Sequence, residues 1–217
     1  MSFAFLITMI LGFGDPVSAI DESLEPPLKY TLEINDHPQA LVLNKPIKIN
    51  GTFRDPKVVL KASSVREFTY GHMAFQYPAP FTWEAKVAAA DKKTWILSGN
   101  DFKIMIFVLP NTLSVEAYSQ AMAKKFGAGS TQISHSVRTL GAQKLNGNRL
   151  AVRLAGTTLN LEVYALPAES GARLLVLQDS PPKAGSTSKE GALALGLLAQ
   201  SFQDTMAAEV ISSGEIK

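Results

Sequence analysis

The run 102–109, FKIMIFVL, places seven apolar side chains in eight positions, interrupted only by Lys103. Successive strand residues point to opposite faces, so a strand that is apolar at both parities has to be covered on both sides over part of its length. Whatever fold this chain adopts needs a central strand with a layer above it and a layer below it.

The flanking sequence supplies more strands. Tyr30, Leu32 and Ile34 alternate before Asn35-Asp36-His37-Pro38, and Leu41, Leu43, Ile47, Ile49, Val58 and Leu60 continue the alternation with a break at Asn50-Gly51. Period-two patterning between turn residues predicts short strands, and residues 29–62 read as a small β appendage. Further strands are predicted over 73–76, 83–87, 94–98 and 102–109, and then over 136–142, 149–155, 159–166 and 172–178. Asn146-Gly147 lies between two of these and suits the positive φ angles of a type I′ hairpin.

Two segments carry helical spacing instead. Ser114 is placed to cap a helix running to Phe126, with Val115, Tyr118, Met122 and Phe126 on one face and Gly127 to end it. Ser188 is placed to cap a second, with Leu195, Leu198, Phe202 and Met206 as its stripe. The expected fold is α+β: an antiparallel sheet covered by two helices in the order ββββ-α-ββββ-α, preceded by the small β appendage.

The remaining segments set the domain limits. Residues 3–13 are apolar and uncharged and lead to Val17-Ser18-Ala19, a small-x-small ending, so residues 1–19 read as a signal peptide cleaved near Ala19. Eleven apolar residues are too few for a spanning helix, which needs about 20, and no transmembrane span is expected in the mature chain. Residues 20–28 contain Pro26-Pro27 and read as a tether, 63–206 as the α+β domain, and 207–217 as a flexible tail. The expected location is periplasmic or secreted.

Composition removes several chemistries. The 217 residues include no cysteine, which excludes thiol nucleophiles, Cys-ligated zinc and iron–sulfur clusters. Without residues 1–19 the chain has 21 basic and 18 acidic groups, a balance of +3 that predicts no nucleic-acid partner. Basic groups gather at Lys29, Lys45, Lys48, Arg54, Lys57, Lys61 and Arg66, opposed by Glu33, Asp36 and Asp55. Ordinary solvent-facing strand positions account for them, lysines also discouraging edge pairing.

The box Phe75-Gln76-Tyr77-Pro78, with Phe81 and Trp83, followed by an apolar strand, a helix, an antiparallel meander and a helix ending at Ser201-Phe202, resembles the PsbP-like fold over residues 67–204. That family includes an extrinsic protein of the oxygen-evolving complex, a Ran-binding factor and exported bacterial proteins. The resemblance implies a non-catalytic binding or assembly factor and carries over no catalytic residue.

His37, His72 and His135 are far apart in sequence, and no G-x-S-x-G, S-x-x-K, P-loop or dinucleotide fingerprint occurs. Glu162 and Asp179 are the carboxylates that would suit a glycosidase if they met in space, although polar positions on a half-exposed sheet are by far the commoner explanation of such a pair. Trp83, Trp95, Tyr70 and Tyr77 offer an aromatic platform or, more commonly, core. The function expected is an exported non-enzymatic binding or assembly module, the alternative being a hydrolase of cell-envelope polymers using Glu162 and Asp179. No catalytic, cofactor-binding or metal residue and no cofactor is expected. The expected partner is a protein or an envelope component, and the chain itself is expected to be a monomer.

Overall fold

The computed structural model describes residues 23–50, 54–89, 92–154 and 156–206. The predicted signal segment and the tail 207–217 lie outside them.

Three strands, β1 (Tyr30–Ile34), β2 (His37–Leu41) and β3 (Val58–Ala62), form an antiparallel sheet in the order β2-β1-β3. Asn35 and Asp36 turn the first hairpin with φ of 49° and 64°, the left-handed region that Asn and Asp tolerate. Residues 23–28, expected as a free tether, are tied down: the Trp83 indole donates to the Ser23 carbonyl at 3.1 Å, and Arg66 pairs with Glu25. Four of the seven clustered cations are likewise paired, Lys29 with Glu67, Lys57 with Asp36, Lys61 with Glu33, and Arg66 as above.

The rest of the chain runs β4 (Val65–Tyr70), β5 (Met73–Pro78), β6 (Thr82–Ala89), β7 (Lys92–Ser98), β8 (Phe102–Leu109) and α1 (Val115–Phe126). After α1 come β9 (Thr131–Leu140), β10 (Gln143–Leu154), β11 (Thr157–Leu166), β12 (Ala172–Asp179), α2 (Lys189–Ser201) and β13 (Gln203–Asp204). Strands β6 to β12 make one seven-stranded sheet ordered β6-β7-β8-β12-β11-β10-β9, and β13-β5-β4 make a separate small sheet.

This corrects the expected fold class. The chain is mostly β, with 51% strand, thirteen strands in three antiparallel sheets among the described residues, and only two short helices. It is not an α+β sheet covered by two helices. The reason is area. Seven strands spaced about 4.8 Å apart present a face about 29 Å wide, whereas a 13-residue helix is about 20 Å long and about 10 Å across. The α2 helix covers part of one face, and β4 and β5 leave the main sheet to cover the remainder.

Between the seven-stranded sheet and this cover lies the larger core. It holds Phe68, Phe75, Tyr77, Trp95, Leu97, Phe102, Ile104, Ile106, Leu175, Leu198 and Phe202. Trp95 and Tyr77 belong to it, and Tyr70 and Trp83 pack against it, so the four aromatics form no open platform. On the opposite face Val115, Tyr118, Met122 and Phe126 of α1 pack on Leu150, Val152, Leu161, Val163, Leu174 and Val176. Strand β8 contributes Phe102, Ile104 and Ile106 to one core and Met105 and Phe107 to the other, the two-sided burial that its sequence requires.

Both helix starts follow the sequence. The Ser114 hydroxyl accepts from the Ala117 N–H at 3.1 Å, and the Ser188 hydroxyl from the Gly191 N–H at 2.9 Å. The second helix ends sooner than its stripe suggests, because Phe202 is already extended at φ −64° and ψ 128° and leads into β13, whose Gln203 and Asp204 pair with β5. A buried ion pair, Arg173 to Asp204 at 3.1 Å, holds that short strand against β12.

The predicted Asn146-Gly147 hairpin is not formed. Strands β9 and β10 are longer than expected and turn at Gly141-Ala142, with Gly141 at φ +53°. Gly147 sits instead inside β10, paired with Ser136 on one side and Tyr164 on the other.

Candidate functional site

Gly147 explains the most polar region of the covered face. A Cβ there would meet the Val163 carbonyl and lie 2.6 Å from Cδ1 of Tyr164, so only glycine lets the Tyr164 ring cross β10 toward β9. Over that gap the Tyr164 hydroxyl lies 2.9 Å from Ser136 Oγ and donates to Glu162 Oε2 at 2.8 Å. Arg138, two residues along β9 from Ser136, reaches over the same gap to Glu162. Its Nε donates to Oε2 at 2.6 Å and its Nη2 to Oε1 at 2.8 Å, a two-pronged fork on one carboxylate.

The network sets its own ionisation. Burial acts against the charge on Glu162, but the hydrogen bonds and charge of Arg138, with help from Tyr164 and Arg149, hold the carboxyl below the usual carboxylate range. The bond to Glu162 likewise raises Arg138 above an ordinary guanidinium despite burial. Burial pushes the Tyr164 phenol up to about 12, so it stays a donor at neutral pH.

Beside this network is a pocket of about 110 Å³. Its sheet wall carries Arg138, Arg149, Asn160, Glu162 and Asp179, its apolar floor Phe102, Leu177 and Leu195, and its remaining side the loop residues Gly185, Ser186 and Thr187. Strand register explains the convergence. Arg149 lies opposite Glu162, and Asn160 opposite Asp179, so alternate residues of neighbouring strands send polar groups to one face. The loop is anchored by the Ser180 N–H on the Asp101 carbonyl at 2.8 Å and turned by Ser186, whose N–H and hydroxyl donate to the Lys183 carbonyl.

The polar groups differ in what remains for a ligand. Glu162 accepts three hydrogen bonds, two from Arg138 and one from Tyr164. Among the described residues Asp179 accepts only the Ser188 N–H, shared between its oxygens at 3.3 and 3.2 Å. Among the described residues, neither the half-buried guanidinium of Arg149 nor the amide of Asn160, a residue 7% exposed, has a hydrogen-bond partner. Both groups keep some contact with solvent, so water can satisfy them and a ligand can take its place.

Both carboxylates singled out from sequence therefore line one pocket. A general acid needs a raised pKa, and Glu162 is shifted the other way. Arg138, Arg149, Asn160 and Tyr164 were not visible as site residues. Their signal is the alternation Asn160, Glu162, Tyr164 on the face opposite Leu159, Leu161 and Val163, and taking Asn146-Gly147 as a turn hid the two arginines by breaking the register of β10.

Other candidates do not assemble. Among the described residues no group of three or more His, Asp or Glu side chains is placed to hold a metal ion. His72 Nδ1 lies 3.2 Å from Thr205 Oγ1, and His37 and His135 are exposed strand residues. Glu190 serves the β7–β8 hairpin. Its carboxylate, lowered chiefly by the Asp101 N–H, accepts from that N–H at 2.7 Å and from the Asn100 amide at 3.0 Å. The appendage leaves Val42, Leu43, Val58 and Leu60 exposed. Among the described residues no helix is long and apolar enough to cross a membrane. No protein-family model matches this chain, and no curated protein matches its sequence.

Proposed function

We propose that this chain is an exported, non-enzymatic binding module that holds a small polar component in the pocket beside Glu162. The observation that carries the reading is the pair of unpartnered groups, Arg149 and Asn160, converging on a pocket whose central carboxylate is locked by Arg138. A site that fixes its charges in advance favours holding a ligand over exchanging protons with one. Export rests on residues 3–19 of the sequence, and a distant PsbP-like relationship on the box around Tyr77-Pro78, Phe81 and Trp83.

The alternative, hydrolysis by Glu162 and Asp179, gains support from their shared pocket. It requires one of the two to deliver a proton, and Glu162 is set against that role. One experiment separates the readings. The full chain and its Arg149→Gln variant are purified natively, and small molecules released on denaturation are identified by mass spectrometry. A compound retained by the parent, lost from the variant and recovered unchanged after hours with the protein supports binding. Cleavage of that compound moves the assignment to the hydrolase, and an empty pocket in every native preparation removes the binding reading.

A further inference from the structure

We infer that the pocket takes a small zwitterion of the α-amino-acid type, its carboxylate on Arg149 and its ammonium on Asp179. This rests on the binding reading above and adds the class of ligand. The argument begins with charge. Glu162 and Arg138 are joined by two short hydrogen bonds, which leaves Arg149 and Asp179 as the charges of the pocket wall that have no ion-pair partner among the described residues, one of each sign.

Their placement suits a molecule carrying both charges. Arg149 lies on β10 opposite Glu162 of β11, and Asp179 on β12 opposite Asn160 of β11, so the two residues are two strands apart across the sheet and two residues apart along it, about 12 Å between backbones. A zwitterion lying between a guanidinium fork and a carboxylate can make a charge-assisted bond of about 2.8 Å to each. Asn160, between them and without a partner among the described residues, offers both an acceptor for the ammonium and a donor for the carboxylate.

Competing chemistries fit less well. A phosphate-like dianion would face the carboxylates Glu162 and Asp179, and a simple cation would be opposed by Arg149. A neutral polyol would leave Arg149 and Asp179 desolvated with no opposite charge, which is the costly arrangement. Size narrows the choice further. A volume of about 110 Å³, at roughly 10–15 Å³ for each water-sized position, holds a molecule of about ten heavy atoms or fewer. A peptide segment or an oligosaccharide exceeds it. The floor of Phe102, Leu177 and Leu195 suits a short side chain such as a methyl or hydroxymethyl group.

The test is an amide and side-chain NMR titration of the isotopically labelled full chain with glycine, L- and D-alanine and L-serine. Acetate, methylammonium and glucose serve as half-ligands and as the neutral control. The expected result is movement of the Asn160 side-chain amide and of the Ser186 and Thr187 amides by the amino acids, at least tenfold tighter than by acetate or methylammonium. Arg149→Gln and Asp179→Asn are each expected to weaken binding at least tenfold, with the remaining spectrum and Tm unchanged, and Arg149→Lys to weaken it less than Arg149→Gln. Binding of glucose or acetate as tightly as the amino acids overturns the ligand class and leaves the pocket as a binding site. If no probe moves these signals and native preparations also retain no small molecule, both readings fall.

Discussion

Replacing Arg138 by Ala tests the arrangement on which the pocket depends. The side chains of Arg138 and Glu162 are 29% and 15% exposed, so the pair is largely but not fully desolvated. Removing one partner of a fully buried pair costs about 3–5 kcal/mol because the other charge is left without compensation, and partial solvent access lowers that to about 2–3 kcal/mol here. For a chain of this size the loss corresponds to a fall in Tm of about 5–10 °C. The pH dependence is the sharper part. In the parent, Glu162 is held below the ordinary glutamate value of about 4.3, so its stabilisation is present above that pH and is lost as pH falls through the lowered folded value. In Arg138→Ala, burial dominates and raises the carboxyl above that value. Its ionisation then destabilises the variant at neutral pH, and the penalty shrinks as pH falls through the raised value. Urea unfolding followed by fluorescence of the buried Trp95, at pH 7.5 and pH 5, measures both quantities. The difference between parent and variant is expected to be largest at pH 7.5, and adding Glu162→Gln is expected to restore part of it. A loss under about 0.5 kcal/mol, or one equal at the two pH values, would refute the reasoning.

Gly147→Ala drives a Cβ into the Val163 carbonyl and the Tyr164 ring; a cost of about 1–3 kcal/mol and loss of the Tyr164–Ser136 contact are expected, read by denaturation and by the Tyr164 ring signals. Ultraviolet titration should find Tyr77 and Tyr164 ionising only near pH 12 and Tyr118 above the ordinary tyrosine range, because burial raises all three, and Tyr164→Phe should remove one of the steps near pH 12. Ser114→Ala and Ser188→Ala should each cost about 1 kcal/mol through loss of a helix cap. Leu198→Ala, at a position with no exposed surface, should cost about 2–5 kcal/mol and lower the denaturation midpoint accordingly.

Local features of the chain were legible without coordinates wherever the cause is itself local. A serine hydroxyl reaches an N–H three residues on, so Ser114 and Ser188 mark helix starts by chemistry contained within a few residues. The α1 stripe of Val115, Tyr118, Met122 and Phe126 and the two-sided burial of β8 follow from periodicity in the same way. Asn146-Gly147 shows where such reasoning stops. Gly141 and Gly147 are both plausible turn glycines within a single stretch of sequence. Gly141 turns the chain, whereas Gly147 is needed because the Tyr164 ring, seventeen residues away, must pass over it.

Tertiary structure alone decided how the strands were shared among sheets and which polar groups met. Alternation tells that β4 and β5 have an apolar face but not which sheet they join. That choice depends on the width of the seven-stranded face and on how little of it α2 covers. The sequence by itself placed Glu162 on a strand and Asp179 at a strand end. Only the pairing of β9 through β12 brings them into one pocket with Arg138, Arg149 and Asn160, and only the Arg138 fork sets Glu162 as a fixed anion. Hydrogen bonds and charges act over a few ångströms, and it is the fold that determines which residues far apart in the chain come within that range.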